Sequence, residues 1–77
     1  MNKERWTLAL RGSVAAHVVD TWLMRDMPCD LRLCKSKKTK GLCCLVADVA
    51  ANEYEAISFL YDVVKVTSCE VSRQPLK

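Results

Sequence analysis

The spacing of hydrophobic and polar positions changes several times along the chain and predicts a series of short elements. In WTLALR, residues 6–11, apolar and polar side chains alternate, as is typical of a half-buried strand. From Val14 the apolar residues recur every three or four positions, which favours a helix with one buried stripe. Ser13 is a suitable N-cap, and Pro28 ends the helix because the residue before a proline disfavours the α conformation. The predicted buried stripe contains Val14, Ala15, Val18, Val19, Trp22 and Leu23.

The middle of the chain predicts two strands joined by a turn. Residues 29–35, CDLRLCK, alternate, with Leu31 and Leu33 toward the core. Residues 42–50, LCCLVADVA, are apolar at odd and even positions alike, with Asp48 as the exception. A strand that is apolar on both faces usually lies in the centre of its sheet, so we expect 42–50 to be a central strand.

The last third of the chain predicts a second helix and a final strand. Asn52 is the expected N-cap, and Glu55 three residues later completes a variant of the capping box. VTSCEVS, residues 66–72, is the expected strand. We expect a single domain over residues 1–77, with an ordered core at about 5–73 and a C-terminal tail at 74–77. The buried stripe of this second helix is predicted to contain Ala56, Ile57, Leu60, Val63 and Val64, with Phe59 beside it.

The order strand, helix, strand, strand, helix, strand predicts the fold. Each helix has one apolar stripe, so both helices should cover the same face of one sheet. Right-handed crossovers then give an α+β, ferredoxin-like βαββαβ sandwich, in which four antiparallel strands carry two helices on one face.

This arrangement leaves one sheet face without helices, and the parities of the strands predict its residues. Its centre is small and apolar and its border is polar, which suggests a contact surface. The residues expected there are Thr7, Ala9, Arg32, Leu42, Cys44, Val46, Ser68 and Glu70.

Charge adds a second candidate feature beside this face. The formal net charge is +3, and much of it comes from Lys35, Lys37, Lys38 and Lys40 in the segment CKSKKTKGLCC. A short run of charges is usually a solvated turn, here the turn between the second and third strands. Such a basic hairpin would also steer the protein toward an acidic partner.

The same segment raises the alternative of nucleic-acid binding. KGLCCLVA, residues 40–47, resembles the first two positions of the third-strand signature of RNA recognition motifs, a basic residue followed by glycine. That resemblance implies bases stacked on aromatic residues of the sheet, but the stacking positions here are Leu42 and Cys44. Phosphate contacts by the lysines would then be the main contribution to the affinity for nucleic acid, and that affinity would be sensitive to salt.

The five cysteines predict neither a disulfide framework nor a metal centre. Their number is odd, which fits free thiols in a reducing compartment. Cys29 and Cys34 are separated by four residues, and Cys43 and Cys44 are adjacent. Neither spacing is a CxxC knuckle, and adjacent residues of a strand point to opposite faces. We therefore expect no metal and no cofactor.

Catalytic chemistry is not indicated. Ser13, His17 and Asp20 follow one edge of the first helix, but nothing in the sequence implies an oxyanion site or a cleft beside them. No apolar run approaches the roughly 20 residues that cross a bilayer, and the N-terminus lacks a signal-peptide pattern, so we expect a cytoplasmic protein without membrane contact.

We therefore expect a small non-catalytic binding protein, an adaptor or inhibitor, that contacts a protein partner or a second copy of itself as a homodimer. The predicted partner-binding residues are Ala9, Arg32, Leu42, Cys44 and Val46, with Lys35, Lys37, Lys38 and Lys40 as the basic hairpin. The alternatives are a weak nucleic-acid-binding module and a small-molecule-sensing regulatory domain. The latter rests on a strand and helix order that is similar to that of ACT domains.

Overall fold

The computed structural model describes residues 2–35 and 40–76, and of Lys35 it describes the backbone alone. Its elements follow the predicted order. They are β1 (Lys3–Arg11), α1 (Gly12–Met24), β2 (Leu31–Lys35), β3 (Leu42–Ala50), α2 (Tyr54–Thr67) and β4 (Glu70–Leu76).

The four strands form one antiparallel sheet in the order β2-β3-β1-β4. This order places β3 and β1 in the centre and leaves β2 and β4 at the edges. It confirms the ferredoxin-like fold, including the central position expected for the strand that is apolar on both faces.

Both helices pack on the same face of the sheet. The core joins alternate residues of β1 and β3 to one stripe from each helix. Trp22 of α1 lies edge-on to Phe59 of α2, with ring centroids 5.6 Å apart, so the two helices also contact each other. Leu23 is a correction to the predicted stripe, because its side chain is 70% exposed. The buried core contains Trp6, Leu8, Leu10, Ala15, Val18, Trp22, Leu45, Ala47, Val49, Ala50, Ala56, Phe59 and Leu60.

The helix starts differ from the sequence prediction. The N-cap of α1 is Arg11 rather than Ser13, and the N-cap of α2 is Glu53 rather than Asn52. Among the described residues, no side chain caps either helix through a hydrogen bond. The Gly12 N–H donates instead to the Gly41 carbonyl at 3.3 Å, so the turn before β3 supports the start of α1.

The last strand begins and ends four residues later than predicted, at Glu70–Leu76. The sequence placed Ser68 on the helix-free face, but Ser68 is the C-cap of α2, in the left-handed conformation with φ 54°. Residues 74–76, predicted as tail, instead continue β4, where Gln74 pairs with Arg5 and Leu76 pairs with Lys3. The expected end of the ordered core at about residue 73 is corrected accordingly.

Arg73 of β4 joins the sheet edge to the helix layer. Its guanidinium carbon lies 4.2 Å from the ring centroid of Trp6, and its Nη2 lies 2.7 Å from Oε1 of Glu4. It also donates a hydrogen bond to the Tyr61 hydroxyl of α2. These bonds to Glu4 and Tyr61 raise the pKa of Arg73 above its ordinary value.

Replacing Arg73 with alanine is expected to lower the free energy of unfolding by about 1 kcal/mol, the size of a cation–π contact at an exposed site. Gln74→Ala is the matched control, because Gln74 is the next residue of the same strand and points to the other face. Urea unfolding of both variants measures the difference. Equal stability of the two variants would show that the Arg73 contacts contribute nothing.

Neither described helix is long and apolar enough to cross a membrane.

Candidate functional site: the open sheet face

The sheet face opposite the helices, here called the open face, brings together the predicted contact residues. Ala9 of β1 pairs with Cys44 of β3, and Thr7 pairs with Val46. On the other side of β3, Arg32 of β2 pairs with Val46. These residues lie within three adjacent strands, as the parities predicted.

The middle of the open face is apolar and partly exposed. Thr7, Ala9, Cys44 and Val46 are neither buried nor fully exposed, and Leu42 has the same intermediate exposure at the hairpin end of β3. All but Leu42 have short side chains. Such a surface allows another backbone or apolar side chain to approach the sheet closely, and it leaves apolar area in water until something covers it.

Charged residues form a cluster at one end of the open face. The Arg5 guanidinium holds the Asp48 carboxylate with two bonds, Nε to Oδ1 at 2.8 Å and Nη2 to Oδ2 at 3.2 Å. Arg32 approaches the same carboxylate from the other side, with Nη2 3.6 Å from Oδ2. The hydrogen bond from Arg5 lowers the pKa of Asp48 below its ordinary value of 3.8 and raises the pKa of Arg5. One carboxylate thus links β2, β3 and β1.

The Asp48 carboxylate is expected to make stability depend on pH. Its pKa is lower in the folded state, so its contribution is present above the ordinary value of 3.8 and is lost as pH falls through the lowered pKa. In Asp48→Asn the fall in unfolding free energy from about pH 5 to about pH 2 should be shallower than in the wild type. Urea titrations across this pH range measure the unfolding free energy of both proteins. An equal pH dependence in the wild type and in Asp48→Asn would contradict the lowered pKa of Asp48.

The structure describes the basic hairpin only in part. Lys35 is the last residue of β2 and pairs with Cys43. Lys37 and Lys38 lie outside the described residues. Lys40 is exposed in the turn before β3, and Gly41 follows it with φ +83°, a conformation that favours glycine.

A polar cleft of about 440 Å³ adjoins the charged end of the open face. Two cationic and three acidic residues line it together with Pro28 and Cys29. Two of the acidic residues already have partners, since Asp48 pairs with the arginines and Glu53 Oε1 accepts a hydrogen bond from the Ala50 N–H at 2.7 Å. The charged lining consists of Lys3, Arg32, Asp30, Asp48 and Glu53.

Residues of the two helices line a second groove, of about 310 Å³. His17 of α1 and Asp62 of α2 line it with Val66, whose side chain is 83% exposed. Ser13 and Asp20 are exposed residues of the same helix as His17. Neither of them lines the groove, so the groove does not join the three side chains into a catalytic site.

The described cysteines are free thiols in different surroundings. Cys29 is partly buried, and burial raises its pKa to about 11, with the charge of Glu53 acting in the same direction. Across residues 2–35 and 40–76, no three His, Cys, Asp or Glu side chains converge on a point where a metal ion could bind.

Two features of the open face were missed by the sequence analysis. The sequence pattern begins the first strand at Trp6, but Lys3 and Arg5 share the parity of Thr7 and extend the open face. The sign of the charge alternates along Lys3, Glu4 and Arg5, and this alternation could have indicated that the first strand begins earlier. The pairing of Cys34 with Cys44 was also missed, because alternation does not show which residues of two strands lie opposite each other.

Comparison of the chain with protein-family models, with curated proteins and with solved structures finds no match.

Proposed function

We propose that this protein is a non-catalytic binding protein that contacts a protein partner through its open face. The observation that supports the proposal is the set of short apolar side chains in the middle of that face. Ala9, Cys44 and Val46 lie on the two central strands, while both described helices cover the other side. A partner that covered this surface would remove apolar area from water, which favours association.

The charges around the apolar centre favour a partner with an acidic rim. Four basic residues and two acidic residues of the described open face surround the centre. Asp48 already forms ion pairs with two arginines, so the remaining net charge of the open face is positive. Complementary charge at the rim of an interface speeds encounter and fixes orientation more than it adds affinity. The basic residues are Lys3, Arg5, Arg11 and Arg32, and the acidic ones are Asp48 and Glu70.

The same charges would attract nucleic acid, but the face lacks the residues that stack on bases. Trp6 lies in the core, and Tyr61 lies against it from α2. In the described part of the chain, no aromatic residue belongs to the open face. Base stacking contributes about 1–3 kcal/mol per base in single-strand binders, so a protein surface is the better match.

The test is affinity capture from a lysate of the source organism, before and after nuclease treatment, with three baits. The wild-type chain is expected to capture a partner in both lysates. Val46→Glu, in the middle of the open face, should lose that partner. Val66→Glu should retain it, because Val66 carries the same side chain on the exposed surface of α2. Capture that disappears with nuclease, or that Val46→Glu leaves intact, would contradict the proposal.

A further inference from the structure

Two cysteines face each other across the hairpin of β2 and β3. The register places Cys34 directly opposite Cys44, and the parity of both strands puts the two side chains on the open face. Cys34 is exposed on the edge strand and Cys44 is partly exposed on the neighbouring central strand. Both are free thiols. The pair is therefore accessible from solvent and is held together by the sheet itself.

We propose that Cys34 and Cys44 form a redox site, a dithiol that a small disulfide oxidant such as oxidised glutathione converts to a reversible cross-strand disulfide. Residues directly opposite in an antiparallel pair have Cα atoms about 4.5–5.5 Å apart, within the range of roughly 4.4–6.8 Å that disulfides span. The bond would join the two ends of the lysine-rich segment CKSKKTKGLCC without moving the strands apart. The site shares Cys44 with the proposed contact surface, but the thiol–disulfide exchange does not require a bound partner.

The same geometry makes the disulfide easy to reduce. Opposite residues have Cβ atoms about 4.5–5.5 Å apart, whereas a disulfide prefers roughly 3.5–4.5 Å. Closing it therefore strains the hairpin, and strained or exposed disulfides are the labile ones. We expect the bond to respond to the ratio of reduced to oxidised glutathione rather than to persist as a structural link.

The chemistry is two successive thiol–disulfide exchanges. The Cys34 thiolate, on the exposed edge strand, attacks one sulfur of oxidised glutathione, forms a mixed disulfide and releases one glutathione thiolate. The Cys44 thiolate then attacks Sγ of Cys34, the protein disulfide forms and the second glutathione leaves. Two electrons pass to the oxidant, and the two thiol protons end on the two molecules of reduced glutathione.

The neighbouring Cys43 provides the sharpest contrast. It pairs with Lys35 and lies on the helix side of β3, where its Sγ is near Gly12. In the folded chain only Cys44 is presented to Cys34. In the unfolded chain the two choices close loops that differ by one residue, so loop entropy hardly distinguishes them. Selection of Cys44 over Cys43 therefore reports the folded register.

The experiment oxidises the purified full chain with oxidised glutathione, at low protein concentration, and maps the products by mass spectrometry. We expect the mass to fall by about 2 Da through loss of two hydrogens, and two of the five cysteines to become unreactive toward iodoacetamide. Trypsin should release residues 33–35 linked to residues 41–65, with fragmentation assigning the bond to Cys44. Reduced glutathione should reverse it. In denaturant, links to Cys43 and Cys44 should both appear.

Three variants complete the test. Cys34→Ser and Cys44→Ser should each abolish the bond, and Cys43→Ser should leave it intact. Cys34 is exposed, so its serine variant should fold normally, and circular dichroism of each variant checks this. A native product linked through Cys43, a product that stops at the glutathione adduct, or a link between two chains would overturn the proposal. A bond that resists reduced glutathione would also overturn it.

Discussion

Val46→Glu is expected to weaken binding of the captured partner at least about 100-fold, which corresponds to about 3 kcal/mol. Val46 lies in the middle of the open face, between Thr7 of β1 and Arg32 of β2. A carboxylate at position 46 would lose its hydration when the partner docks, which costs free energy. Acidic groups of the partner would also repel it. Titration calorimetry with the purified partner measures the loss.

The variant should still fold, because Arg32 stands directly opposite the substituted position and can pair with the new carboxylate in the free protein. Val66→Glu is the matched control and should change the affinity by less than about twofold, since surface substitutions outside an interface have small effects. Equal affinity of both variants would place the interface away from the open face. Loss of affinity in both variants would point instead to general repulsion by added negative charge.

Trp22→Ala is expected to give the largest loss of stability, about 3–5 kcal/mol. The Trp22 side chain is 2% exposed, contacts Phe59 edge-on, and donates a hydrogen bond from Nε1 to the Cys29 carbonyl at 2.7 Å. The alanine would leave a cavity between the helices and would also leave that carbonyl without its donor. For a domain of 77 residues, such a loss is a large part of the total stability.

Leu23→Ala is the control for the tryptophan. Leu23 is the next residue of the same helix, but its side chain is 70% exposed, and we expect a change within about 0.5 kcal/mol. Thermal and urea unfolding of the two variants measure the difference. Comparable losses would mean that the hydrophobic stripe of α1 faces elsewhere.

The fold could be predicted because the central elements bury their apolar residues with clear periods. β1 and β3 alternate buried and partly exposed positions, and each helix places three buried residues on one stripe. The even-numbered residues of β1 and the odd-numbered residues of β3 face the core, so alternation separated the core from the open face correctly. The placement of Ala9, Cys44 and Val46 follows from that separation.

The edges and ends could not be predicted in the same way. Nearly every residue of β4 is exposed, so its sequence carries no hydrophobic alternation, and the segment after Arg73 resembles a tail. Backbone pairing with β1 holds this strand, and such pairing leaves little trace in side-chain type. The helix starts were missed for a related reason: Ser13 and Asn52 are good capping residues, but the chain turns at Arg11 and Glu53.

The cysteine pair illustrates what parity leaves undetermined. The outward positions of Cys34 and Cys44 followed from alternation, but their being opposite each other depends on the register of the hairpin. Register is fixed by how many residues the connection contains and by the packing of the buried residues. Here it pairs Leu33 with Leu45, and that pairing brings Cys34 opposite Cys44.

The most direct test of the open face as the binding surface is a methyl NMR titration of the labelled chain with its captured partner. Val46 and Leu42 report the open face, Val49 reports the core, and Val66 reports the outside of α2. We predict that the methyl signals of Val46 and Leu42 shift and show contacts to the partner, while those of Val66 stay unchanged. Contacts at Val66 with unperturbed Val46 and Leu42 would contradict the account.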